Sequence, residues 1–132
     1  MEKRNGLDLI HQVHINYMGR SRHTKCLEDI VNNIGIVGLN KRNTSWIIPE
    51  GVWYIDNSIQ LHKLCDLVVG MHDRTAIPIE IKATRNYNKK AIEQLYAGKQ
   101  LAEDYMHYEV TEGKIVYYGR GIYQVRNIDL RG

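Results

Sequence analysis

Asp66, Glu80 and Lys82 are the residues whose types and spacing point to chemistry. Glu80 and Lys82 sit in Ala76-Ile77-Pro78-Ile79-Glu80-Ile81-Lys82-Ala83, which alternates with the period of a strand. Ile77, Ile79, Ile81 and Ala83 then point one way, and Pro78, Glu80 and Lys82 the other. The acid and the amine are same-face neighbours, roughly 6–7 Å apart by the rise of a strand. Asp66 precedes Glu80 by thirteen intervening residues and stands in the mostly apolar run Leu64-Cys65-Asp66-Leu67-Val68-Val69-Gly70, a second expected strand. A carboxylate in such a run is expensive to bury unless it is paired or ligates a cation. A hairpin about residues 70–76 would set Asp66 beside Glu80. Two carboxylates at that distance repel, and a divalent metal is the usual remedy. Lys82 beside them would hold an attacking water or steady the charge of a phosphoryl transition state.

The elements that must position these residues are legible in part. Leu27, Ile30, Val31 and Ile34 recur at helical spacing and predict a helix over about residues 24–34. Thr24 is its expected N-cap, Glu28 and Asp29 lie near the positive end of its dipole, and Gly35 is its expected stop. Strands are expected at Trp46–Ile48 and Val52–Leu61, broken by a turn at Pro49-Glu50-Gly51. His72-Asp73-Arg74 reads as a polar connection. A second helix is expected from about Lys89 to His107, with Ala91, Leu95, Gly98, Ala102 and Tyr105 on one stripe. The small residues of that stripe would let the helix sit close against a sheet. Ile115–Tyr118 and Tyr123–Val125 read as two further strands, and residues 1–20 fit a strand and a helix equally well. The order predicts an α/β domain with a central mixed sheet.

The motif resembles the PD-(D/E)XK nuclease superfamily, the restriction-endonuclease-like fold. The residues that carry the likeness are Asp66 and Glu80-Ile81-Lys82, each on an expected strand, followed by a helix. The resemblance implies an αβββαβ core, which residues 24–125 approximate, flanked by helices. It implies that Asp66, Glu80 and the backbone carbonyl of Ile81 hold Mg²⁺ or Mn²⁺, and that Lys82 is the catalytic lysine. Glu28 matches the acid that many members carry on the first helix, and Gln94 matches the glutamine of RecB-like exonucleases. The position before the motif aspartate is Cys65, where many members have proline. Two cysteines cannot supply the four that an iron–sulfur version needs. A domain of this size is similar to Holliday-junction resolvases and to small phage or mobile-element endonucleases.

Each feature has a plainer explanation. An isolated Glu-x-Lys on a strand is commonly a solvent-facing ion pair of little worth. Glu28 also suits an ordinary place near a helix start, and Gln94 an exposed helix position. The conjunction of a charge in an apolar strand, a short connection, the acid–lysine strand and a helix bearing Gln94 favours the nuclease reading. His23/Cys26 and His62/Cys65 are both His-x-x-Cys, enough ligands for tetrahedral zinc. The second pair falls on an expected strand, where positions i and i+3 face opposite ways, so no zinc site is expected. Arg85, Tyr87, Asn88, Lys89 and Lys90 follow the Lys82 strand directly and suit a nucleic-acid backbone, with Tyr87 available for stacking. Arg20 and Arg22 form a second basic cluster at the mouth of the first helix.

The chain has 132 residues, 43% hydrophobic and 25% charged, which suits one globular domain over 1–132 rather than two domains or a disordered chain. A net charge of +3 permits a polyanionic partner without demanding one. The two cysteines fit a reducing compartment, and no apolar run reaches the roughly 20 residues of a membrane span. The first residues lack the apolar stretch of a secretory signal, so an intracellular, cytoplasmic protein with no membrane association is expected. The sequence therefore predicts a metal-dependent endonuclease acting on DNA, with a homodimer as its assembly. The alternatives are a catalytically idle nucleic-acid-binding module on the same fold, and an assembly protein in which Asp66, Glu80 and Lys82 form a buried ion-pair network.

Overall fold

A computed structural model describes residues 22–49, 65–83, 85, 88–119 and 122–131. The first described element is helix α1, Arg22–Asn32. It starts two residues earlier than expected, so Thr24 is a buried residue of the helix and not its N-cap. Glu28 and Asp29 consequently lie beyond the first turn, which holds no acidic residue. The stop is Asn33 and not Gly35: Asn33 leaves helical geometry and its Oδ1 accepts a hydrogen bond from the Gly35 N–H at 3.2 Å. A 3₁₀ turn, Ile34–Val37, then ends at Gly38, whose φ of 77° is the left-handed conformation that glycine adopts without strain.

Among the described residues five strands follow: β1 (Thr44–Pro49), β2 (Leu67–Met71), β3 (Ala76–Lys82), β4 (Glu112–Tyr118) and β5 (Tyr123–Asp129). Helix α2, Lys89–Met106, lies between β3 and β4. The strands form one sheet in the order β1-β2-β3-β4-β5. β1, β2 and β3 run antiparallel in turn, β4 is parallel to β3, and β5 returns antiparallel to β4. The parallel step needs a crossover, and α2 supplies it. Pro49 is the last residue of β1 and pairs with Leu67, and the remaining residues of the expected turn, Glu50 and Gly51, lie outside the described residues. The expected strand Val52–Leu61, residues 1–20 and His62 lie outside the described residues. β5 runs four residues further than the expected Tyr123–Val125, and β4 begins three residues before Ile115.

Both faces of the sheet are covered, which is why β2 and β3 are buried almost throughout. On one face Leu67, Val69, Ile77, Ile79, Ile81 and Val116 pack with Cys26 and Ile30 of α1. On the other, Val68, Ala76, Ile115 and Tyr117 pack with Ala91, Leu95, Leu101 and Ala102 of α2. Tyr105, expected on the apolar stripe of α2, is 51% exposed, and the neighbouring Met106 packs against the α2-side cluster in its place. Lys114 is buried on the α1 side, where its Nζ donates to Asn127 Oδ1 at 2.7 Å.

Gly98 sets the distance between α2 and the sheet. A Cβ at that position would lie 2.6 Å from Cys65 Sγ and 3.0 Å from Pro78 Cβ. We predict that Gly98→Ala destabilises the fold by about 1–2 kcal/mol, because overpacking outweighs the helix-propensity gain of about 1 kcal/mol. The midpoint of urea unfolding measures this; an unchanged or raised midpoint would refute it.

Candidate functional site

The β2–β3 hairpin decides where the acids meet. Asp73 Oδ1 accepts from both the N–H and the hydroxyl of Thr75, holding the connection short. The register pairs Leu67 with Ile79, so the next residues outward, Asp66 and Glu80, come opposite one another. Asp66 lies just before β2 rather than inside it, as the sequence had suggested. Here the two side chains replace the ladder. Glu80 Oε1 accepts the Asp66 N–H at 3.0 Å, and Asp66 Oδ2 accepts the Ile81 N–H at 2.7 Å. Each carboxylate thus holds a backbone donor of the opposite strand.

Three cationic or polar groups complete the cluster. Lys82 Nζ lies 3.5 Å from Glu80 Oε2 and 3.5 Å from Gln94 Oε1 of α2. His23 Nε2 of α1 lies 3.2 Å from Asp66 Oδ1, and its ring meets Tyr118 edge-on at 6.3 Å. Glu80 is 1% exposed and Lys82 26%, so this pair is not the solvent-facing bridge that an isolated Glu-x-Lys implies. All of these groups gather where β3 and β4 end, the carboxyl edge at which open α/β sheets hold their ligands.

The electrostatics separate the two acids. Burial raises the Glu80 carboxyl from its ordinary 4.5 to about 9, helped by its hydrogen bond to Asp66 and by the Asp66 charge and opposed by Lys82. Burial pushes Asp66 up as well, but hydrogen bonds from His23, Glu80 and the Ile81 N–H, with the His23 charge, bring it below the usual aspartate value. One proton shared by two adjacent carboxyls is the expected state of such a pair without a metal.

The structure brings Asp66, Glu80, Ile81, Lys82 and Gln94 together as the sequence predicted. It does not bring Glu28 to them by any hydrogen bond or ion pair among the described residues. Glu28 is two positions from both Cys26 and Ile30, which puts it on the far side of α1 from the residues that face the sheet. Its Oε1 is buried without a hydrogen-bond partner. His23 is the α1 residue that reaches the acids. Sequence reasoning noted it only as half of a His-x-x-Cys pair; the signal was its place three residues before the core-facing Cys26, on the same side of the helix. The two cysteines themselves lie in different clusters on opposite faces of the sheet. Burial pushes the Cys26 thiol up to about 12 and the Cys65 thiol up as well, which makes both poor nucleophiles.

Among the basic residues, Arg22, Arg85, Lys89 and Lys90 are exposed. Asn88 caps α2 instead, its Oδ1 accepting from the Ala91 N–H at 3.1 Å. Arg20 and Tyr87 lie outside the described residues. No described helix is long and apolar enough to cross a membrane. Among the described residues no three His, Cys, Asp or Glu side chains form a ready-made metal centre. Asp66 and Glu80 nonetheless fit a hard divalent ion such as Mg²⁺, which is commonly held by one or two carboxylates and keeps several waters. No protein-family model matches the chain, and no curated protein or solved structure was found similar to it.

The raised Glu80 carboxyl makes the metal-free fold pH-sensitive. Its contribution is complete below its unfolded value near 4.5 and is lost as pH rises through about 9. Asp66 has the opposite sign, its contribution being lost as pH falls through its lowered value. Thermal melting in EDTA should therefore show wild type weakening relative to Glu80→Gln as pH climbs through the Glu80 window. Parallel pH profiles for the two proteins would refute this.

Proposed function

We propose that the chain is a divalent-metal-dependent nuclease of restriction-endonuclease type, cleaving DNA phosphodiesters inside the cell. The observation that carries the reading is the exchange between Asp66 and Glu80 at the open end of β2 and β3, with Lys82 and Gln94 beside it. The order α1-β1-β2-β3-α2-β4, with three antiparallel strands and a fourth parallel to the third, supports an αβββαβ core extended by β5. The residues alone argue for a phosphate-bearing anion; DNA comes from the resemblance of the motif.

Asp66, Glu80 and the main-chain carbonyl of Ile81 would hold the ion, Mg²⁺ or Mn²⁺. When bound, the ion supplies an acidified water and neutralises charge on a phosphate oxygen. Lys82, held between Glu80 and Gln94, orients that water or stabilises the charge gathering on the phosphoryl oxygens. Gln94 fixes the lysine from the helix side. His23 steadies Asp66 from α1. The exposed Arg85, Lys89 and Lys90 between β3 and the first turn of α2 would contact the phosphate backbone flanking the cut. A homodimer would pair two such sites on a duplex or branched substrate.

A second reading is favoured by one observation: His23 lies against Asp66 and Lys82 against Glu80, so both acids already have cationic or polar neighbours within the chain. In that reading the cluster is structural and the protein binds nucleic acid without cutting it. Lys82→Ala separates the two. The nuclease should lose about 10²–10³-fold in cleavage rate with little change in melting temperature. A structural network should lose about 3–5 kcal/mol of stability, since a buried acid is left unpaired.

The direct test is cleavage of labelled duplex, single-stranded and four-way-junction DNA with Mg²⁺, Mn²⁺ or EDTA, comparing wild type with Glu80→Ala. We expect products only with metal and only from wild type. A folded wild type that cuts none of the substrates would overturn the proposal.

A further inference from the structure

β5 is the last strand of the sheet, and among the described residues nothing pairs with its outer edge. It is seven residues long, and Gln124, Val125, Arg126 and Asn127 are exposed in succession. Edges of this length are ordinarily shortened, bulged or covered, because their free N–H and C=O groups invite another strand. Four large hydrophobic residues are exposed among those described; one, Val125 at 36%, lies in β5, and another, Ile122 at 71%, directly precedes it. Among the described residues Val125 is covered only on its inner side, where it pairs with Val116 of β4.

We propose that the occupant of this edge is β5 of a second copy, joined antiparallel about a two-fold axis at Val125. The side chains select both the partner and the register. Opposed residues of an antiparallel pair project from the same face, so a two-fold through the sheet must pass through one residue. Centred on Val125, the axis sets Val125 against Val125, Gln124 against Arg126, Tyr123 against Asn127 and Ile122 against Ile128. Apolar residues meet apolar ones, and the guanidinium meets a neutral amide. Ile128 already packs at the margin of the α2-side cluster, so the partner's Ile122 would extend that cluster across the junction. Centred on Arg126, the same strand would oppose two guanidinium groups. Centred on Asn127 it sets Val125 against Asp129 and Arg126 against Ile128, and centred on Gln124 it sets Ile122 against Arg126. Of these four registers, only the one centred on Val125 sets both exposed apolar residues against apolar partners without a charge conflict. The result is a continuous ten-stranded sheet, five strands from each copy.

This inference stands apart from the catalytic reading, and its test needs no DNA. Sedimentation of the full chain across the micromolar range should show a reversible monomer–dimer equilibrium. Val125→Arg, which opposes two cations at the axis, should weaken it by roughly tenfold or more. Ile122→Asp, at a site that is 71% exposed and outside the strand, should weaken it as well and checks the result if the first variant folds poorly. Paired Cα atoms at the axis would lie about 4.5 or about 5.5 Å apart. That falls within the roughly 4.4–6.8 Å that a disulfide spans. Val125→Cys should therefore oxidise to a covalent dimer, while the buried Cys26 and Cys65 stay reduced. A chain that remains monomeric throughout, a dimer indifferent to both charged variants, or a Val125→Cys protein that does not cross-link would each overturn the proposal.

Discussion

The exchange of backbone donors between Asp66 and Glu80 is the constraint on which the functional end of this molecule depends. At the mouth of the β2–β3 hairpin the ladder stops, and two carboxylates take over its hydrogen bonds. Each acid satisfies an N–H that would otherwise be buried and unpaired, a loss of roughly 1–3 kcal/mol per group. The same geometry forces two acidic groups together. The fold therefore relies on the acids for its hydrogen bonding while their mutual repulsion works against it. A proton held on Glu80 relieves that repulsion, and the Lys82 ammonium and the His23 ring lie beside the two acids.

The surrounding architecture follows from holding this arrangement still. α2 must approach β3 closely for Gln94 to reach Lys82, and Gly98 together with the buried Ala91 and Ala102 makes the approach possible. α1 must lie across the other face with its first turn at the strand ends for His23 to reach Asp66. Its position is tied at a second point, where the Tyr123 hydroxyl of β5 donates to Asp29. Between these two helices the sheet is buried on both faces. The polar cluster therefore sits at its edge, the one place where charged groups can be held by the protein and still reach solvent.

β5 differs from the central strands because it stands last in the order of the sheet. β2, β3 and β4 are buried nearly throughout, whereas β5 is largely exposed. Its contacts with the rest of the fold run through Tyr123, Ile128 and the β4 ladder. Among the described residues nothing pairs with its outer side, which is where the proposed second copy would join.

Much of this was written in local patterns. Alternation from Ala76 to Lys82 and the small-residue stripe of α2 each reflect a single element meeting a single neighbour, which a period of two or of three to four can record. The Asp66–Glu80 encounter was legible for the same reason, since a short hairpin leaves little freedom in register. Helix ends were less so. Asn33 stops α1 through its own side chain, a competition between neighbouring hydrogen bonds that apolar spacing does not encode. Which α1 residue reaches the acids was decided only by packing. Glu28 and His23 both lie on one helix, and the turn of that helix against the sheet brings the histidine to Asp66 and puts Glu28 on the far side. The exposure of β5 is likewise a matter of rank in the sheet. Tyr123–Asp129 has the composition of an ordinary strand, and only the order of pairing makes it an edge.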